Sequence, residues 1–76
     1  MNRDREYLGD ILNSAQLAVE YTSGVSREDF LADTQLQDSV VRRIEIIGEA
    51  AKRLSDAARQ AMPAIPWKKV RACATC

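Results

Sequence analysis

Two thiols, two carboxylates flanked by basic side chains, and a short basic run are the groups here whose types and spacing could do chemistry. Cys73 and Cys76 form a Cys-x-x-Cys, the spacing of a redox pair or half of a zinc site. Redox motifs of this kind belong to a strand–helix context, and a structural zinc needs four ligands. With two cysteines and no histidine in the chain, the favoured reading is incidental cysteines at a helix end. A zinc shared between two chains is the alternative. Glu45 and Glu49 stand four residues apart, with Arg42 and Lys52-Arg53 nearby. Carboxylates beside arginines can do acid–base work. At helical spacing they are far more often surface pairs, each contributing about 0.2–0.5 kcal/mol. Arg42-Arg43, and Lys68-Lys69 with Arg71, read as solvated helix faces.

The missing histidine decides more than any group present. It removes the commonest general base and the commonest zinc ligand. It also removes hydrolysis by a His-assisted serine or cysteine. The three glycines are isolated, so there is no Gly-rich phosphate loop. The residues therefore supply no catalytic group, no metal ligand set and no cofactor site.

The elements that would position these groups are helices. Tyr7, Leu8, Ile11, Leu12, Ala15, Val19 and Thr22 recur at three- and four-residue steps, predicting a helix from about Asp4 to Thr22. Asp4, Glu6, Asp10, Asn13, Gln16 and Glu20 fall on the opposite, solvent side. Ser23-Gly24 ends it, with Gly24 suited to a left-handed position. Ser26 caps a short second helix, with Glu28 and Asp29 in its first turn and Phe30 and Leu31 as core anchors. Asp33 or Thr34 caps the next, and Thr34 with Gln37 has capping-box spacing.

That third helix runs from about Thr34 to Leu54 on the stripe Leu36, Val40, Ile44, Ile47, Ala51 and Leu54. Val41 and Ile46 widen the apolar surface, so it should contact two neighbours. One is the first helix, and the other a missing segment or a second subunit. Gly48, mid-helix at a cost of about 1 kcal/mol against Ala, implies close approach of another helix. Ser55 caps a brief helix from Asp56 to Ala61. Residues Met62 to Pro66 must be extended or turned, because residues preceding proline avoid the helical region. A last helix opens at Pro66-Trp67 and is incomplete at Cys76.

The 76 residues allow one small domain, spanning 1–76, whose lone core is marginal without a partner. With 46% apolar residues, two prolines and three glycines, the expected class is all-α, a small antiparallel helical bundle. The formal net charge of zero gives no global field toward nucleic acid. No apolar run approaches the ~20 residues of a membrane span, and no secretory signal opens the chain. A cytoplasmic protein is expected.

The run from Asp38 to Leu54, containing Ile46-Ile47-Gly48-Glu49-Ala50-Ala51, followed by Ile65-Pro66-Trp67, resembles the HepT-like branch of the HEPN superfamily. Asp4, Tyr7-Leu8, Asp10-Ile11-Leu12 and the link from Tyr21-Thr22 to Phe30 fit too, so the resemblance covers roughly Arg3 to Arg71. It implies a helical bundle that forms a homodimer. It implies a ribonuclease toxin acting on RNA without a metal, encoded beside a nucleotidyltransferase-type antitoxin. That cleavage uses an Arg, a polar neighbour, and a His and Tyr farther on, all on the helix after Ile-Pro-Trp. Counted ungapped from Trp67, the Arg position falls on Ala74 and its neighbour on Thr75, and the His and Tyr positions lie past Cys76. Arg71, three residues earlier in the chain, is not assigned that role. No catalytic residue of the family therefore transfers to this chain. The expectation is a frameshifted, truncated and inactive HepT-like toxin. One choice of codons for Ala72 to Cys76 and a following stop, read in the shifted frame with one preceding G restored, encodes Gly-Met-Arg-Asn-Val-Leu. The other expectation is a non-catalytic module for dimerisation or antitoxin binding.

Overall fold

The structure, a computed structural model, describes residues 3–72. Five helices follow one another among them: α1 (Asp4–Thr22), α2 (Arg27–Ala32), α3 (Thr34–Arg53), α4 (Asp56–Ala61) and α5 (Trp67–Ala72). Helix α3 is the spine, and α1, α2 and α5 all pack against it. Asp4 at the start of α1 meets Ser55 just past α3, whereas Tyr21 shares a groove with Gln35 and Ser39. The two long helices are therefore antiparallel, and the molecule measures 42 × 20 × 20 Å.

Each boundary has a local cause. Helix α1 stops because Ser23 turns extended and Gly24 takes φ +73°, while Val25 N–H donates to Thr22 C=O at 3.1 Å. That is the pattern of a type II turn, which requires positive φ at its third residue. Ser26 Oγ accepts from Asp29 N–H at 3.1 Å and starts α2. Asp33, not Thr34, caps α3, accepting from Leu36 N–H at 3.0 Å. The expected capping box does not form. The Gln37 amide instead donates to the carbonyls of Phe30 and Leu31 at 2.9 and 3.0 Å. Those carbonyls lie in the last turn of α2, where Phe30 C=O also accepts from Asp33 N–H at 3.2 Å, so Gln37 ties α2 to α3. Pro63 is the second residue of a turn closed by Ile65 N–H to Met62 C=O at 3.2 Å. Pro66 stands just ahead of α5, and its carbonyl accepts from Lys69 and Val70.

Burial is concentrated at one end. Ala51, Leu54 and Trp67 form the core, with Tyr7, Leu8, Ile11, Ala58, Met62 and Val70 packed against it. Ser14, Gly48 and Ala50 are also buried. Small residues at the contact let helix axes approach closely. Gly48 is buried on α3 as its spacing implied, and the neighbours α1 and α5 both pack on that helix.

Several residues expected in the core lie outside it. Leu12 is 60% exposed, Val19 70% and Leu31 62%. Leu31 sits in a helix of six residues that packs mainly on α3, too short to be covered on both sides. For Leu12 and Val19 the reason is angular. The inward face of α1 centres on Ser14, with Tyr7, Ile11 and Ala18 half-buried beside it, and at 100° per residue Leu12 and Val19 point away from it. Asp4 departs in the opposite sense. Placed on the solvent side by its spacing, it instead accepts from Ser55 N–H at 2.8 Å and Ser55 Oγ at 2.5 Å.

Gly9 lies exposed within α1, and a Cβ built on it would meet no atom within 4 Å. Gly9→Ala should therefore raise unfolding free energy by about 1 kcal/mol, the helix-propensity difference with no packing change to oppose it. Urea unfolding at low protein concentration checks this, and a destabilised variant would contradict the described surroundings of α1.

Candidate functional site

The most constructed part of the chain is the corner where α4 and α5 fold back onto the end of the α1–α3 pair. Ser55 organises it. Its Oγ accepts from Ala58 N–H at 3.1 Å to cap α4 and donates to Asp4 at 2.5 Å. With Ser55 N–H also given to Asp4, one carboxylate joins the first turn of α1 to the first turn of α4. Charge-assisted bonds of this kind are roughly twice as strong as neutral ones. Arg59 continues the clamp. Its guanidinium reaches Ala51 C=O at 3.4 Å and pairs with Asp56.

Trp67 then locks α5 in place. Its ring is buried on Ala51 and Leu54, and its indole N–H is shared by Arg59 C=O and Met62 C=O, each at 3.1 Å. Both carbonyls lie at the end of α4 and also accept a backbone N–H, Arg59 C=O from Met62 and Met62 C=O from Ile65, each at 3.2 Å, so the indole adds a second donor to each. The Pro-Trp step is fixed further by Trp67 N–H to Ile65 C=O at 2.8 Å.

The clamp presents the basic run of α5. Lys68 and Lys69 are exposed on it, while Arg71 is half-buried. Arg71 Nε is buried and lacks a hydrogen-bond partner among the described residues.

A second concavity lies between the long helices. Tyr7, Asp10, Arg42, Ile46, Glu49, Ala50 and Arg53 line a cleft of about 230 Å³. Its two carboxylates balance its two guanidiniums, and all four charged side chains are exposed. Water screens such groups, so the cleft holds no desolvated acid or base. Glu45 and Glu49 behave as surface groups. Arg42 meets Glu45 at 3.8 Å with both side chains about half exposed or more, and Glu49 faces the solvated cleft. Arg3, itself exposed, is held in its charged form by a hydrogen bond from Nε to Glu6 at 2.9 Å and by that carboxylate's charge.

No group of three His, Cys, Asp or Glu side chains that could hold a metal occurs among the described residues. The Cys73–Cys76 spacing lies outside them. Among them, too, no helix is long and apolar enough to cross a membrane. Sequence reasoning missed the Asp4–Ser55 bridge, which joins residues 51 apart. The only signal for it was a cap residue, Ser55, preceded by a long helix that must pair with α1. It missed Ser14 as well, a small residue three after Ile11 and four before Ala18 on the inward face.

The family described as ribonuclease HepT-like matches residues 11–73. A probable ribonuclease HepT of Thermococcus cleftensis is 39% identical over 87% of the chain and 60% of its own length. A putative RNase of Caldanaerobacter subterraneus subsp. tengcongensis is 40% identical over 92% of the chain and 62% of its own length. A gamma-glutamylcyclotransferase and putative RNase of Methanocaldococcus jannaschii is 49% identical over 83% of the chain and 28% of its own length. The chain thus spans at most about three fifths of these relatives. No solved structure matches it.

Trp67→Phe keeps most of the buried ring but removes the indole donor, leaving the carbonyls of Arg59 and Met62 without it. The expected cost is about 1–2 kcal/mol. Circular dichroism during denaturation measures it, since the variant loses the chain's single tryptophan. Wild-type stability would show that the shared hydrogen bond does not hold α5.

Proposed function

The chain belongs to the ribonuclease HepT-like family, and from that premise we propose that it is the scaffold of an RNA-cleaving toxin component of a toxin–antitoxin module. The observation that carries this reading is the coincidence of the family match over residues 11–73 with the constructed corner of the fold. The Ile-Ile-Gly-Glu-Ala-Ala run supplies the buried Gly48, Ala50 and Ala51, and Ile-Pro-Trp supplies the tryptophan that packs with Ala51 and Leu54. The residues that carry the resemblance are those that build the seat of α5, the helix that by the resemblance leads into the catalytic motif.

The 76 residues do not themselves cleave RNA. Transesterification at a phosphodiester needs a proton acceptor for the attacking 2′-hydroxyl and a donor for the leaving oxygen. The family's Arg…His pair would provide them, and this polypeptide contains no histidine. The exposed acids of the α1–α3 cleft are solvated and have no buried partner to activate them.

A second reading, a binding module, is favoured by uncovered apolar surface. Leu12, Val19, Leu31, Val41 and Ile44 are all exposed. An exposed set of this kind marks a contact surface. Its occupants in this reading are a second copy, giving a homodimer, and a nucleotidyltransferase-type antitoxin.

The test is direct. The 76-residue polypeptide, incubated with a mixed-sequence RNA in the presence of a chelator, should leave the RNA intact over hours. Cleavage that persists through repurification and disappears in an Arg71→Ala or Glu49→Gln variant would contradict the non-catalytic reading.

A further inference from the structure

We propose that the last turn of α3 and the outer side of α5 form a surface that holds RNA by its backbone phosphates. The proposal rests on the RNA reading above and names the residues, all outside the catalytic motif, that position the strand.

The chain is neutral, but its charge is sorted along the sequence. Residues 50–72 hold six bases, Lys52, Arg53, Arg59, Lys68, Lys69 and Arg71, against one acid, Asp56, a net charge of +5. Residues 3–49 hold five bases and ten acids, a net charge of −5. The fold gathers the basic set at one corner, because Trp67 seats α5 on Ala51 and Leu54, the turn of α3 that carries Lys52 and Arg53.

Pairing within the corner removes part of that charge. Asp56 is taken by Arg59. Arg53 turns to the α1–α3 cleft with Asp10 and Glu49. At the start of α1, Arg3 and Arg5 balance Asp4 and Glu6. Lys52, Lys68 and Arg71 have no ion-pair partner among the described residues, and Lys69 stands exposed beside Lys68. No carboxylate lies on α5 or in the last turn of α3. Helix stability accounts for Lys52, a cation in a last turn, but not for Lys68, which opposes the dipole in the first turn of α5.

The chemistry chooses the occupant. Exposed cations with no free aromatic face bind charge and not a base. Trp67 is buried, and its indole N–H is given to Arg59 and Met62. Such a surface suits the repeated phosphates of a nucleic-acid strand, with contact that tolerates sequence and weakens with salt. It includes the helix that by the resemblance leads into the catalytic motif, so a strand held there is held next to the reaction.

Fluorescence anisotropy of a labelled, unstructured 2′-O-methyl oligoribonucleotide tests this on the whole chain. That probe cannot be cleaved, so it reports binding alone, and circular dichroism confirms that each variant folds. The wild type should bind, and the logarithm of its affinity should fall against that of the KCl concentration with a slope of about −2, as roughly three phosphate contacts require. Lys52→Glu with Lys68→Glu, both at exposed positions, should weaken binding by about tenfold or more and flatten the slope. Arg27→Glu with Arg43→Glu makes the same change of net charge at the α2 end and should leave affinity within about twofold, through screening. A wild type that does not bind at low salt overturns the proposal. Binding that both double variants weaken equally overturns this surface and leaves RNA contact standing. Tighter binding to poly-glutamate than to the oligoribonucleotide overturns RNA as the occupant. The reading above fails on a different result, cleavage of RNA by the 76 residues themselves.

Discussion

The fold depends on where one tryptophan can be buried. Trp67 is the largest side chain in the core and the one aromatic among its buried members in the described residues. It finds cover at the corner where α1, α3 and α4 converge. Fully burying a large apolar side chain contributes roughly 1.5–3 kcal/mol. In a chain this small, that is a large share of the whole stability. The indole N–H must also be satisfied, and the frayed end of α4 supplies two carbonyls for it. The position of α4 is therefore not free. Ser55 caps it, Asp4 holds Ser55, and Asp4 belongs to the first turn of α1. Four helices are fixed relative to one another through a few side chains at one end.

The other end has no comparable device. Residues beyond the middle of α1 and in the first half of α3 meet through partly exposed groups, and α2 is joined to α3 mainly through Gln37. This asymmetry explains why apolar residues remain exposed. A three-helix arrangement needs a third long helix to cover the faces that α1 and α3 do not turn toward each other. Among the described residues α5 is one and a half turns long and covers only the lower part of α3.

Much of this was legible in the chain. The stripe from Leu36 to Leu54 and the steps from Tyr7 to Thr22 set both long helices, and Ser26, Asp33 and Ser55 announced three of the starts. Cap chemistry is local, so sequence carries it well. What periodicity could not give was the angle at which α1 is rolled. Its apolar residues occupy an arc wide enough to be oriented in two ways, and burying Ser14 instead of Leu12 was decided by the partner helix. The Asp4–Ser55 bridge was hidden for the same reason, since it depends on how the two ends of a hairpin meet. For function the limit was sharper. Residue types could exclude imidazole chemistry, but the features that identify the family proved to be buried packing residues, Gly48, Ala51 and Trp67, which carry no chemistry themselves.

The central claim is that stability resides at the Trp67 end and declines toward the α2 end. Amide hydrogen exchange on the 76-residue chain tests it most directly. The account predicts the slowest exchange in residues 7–14 and 46–53, intermediate rates in α5, and the fastest in α2 and the first turns of α3. Protection that is uniform along α3, or greatest in residues 27–40, would contradict it.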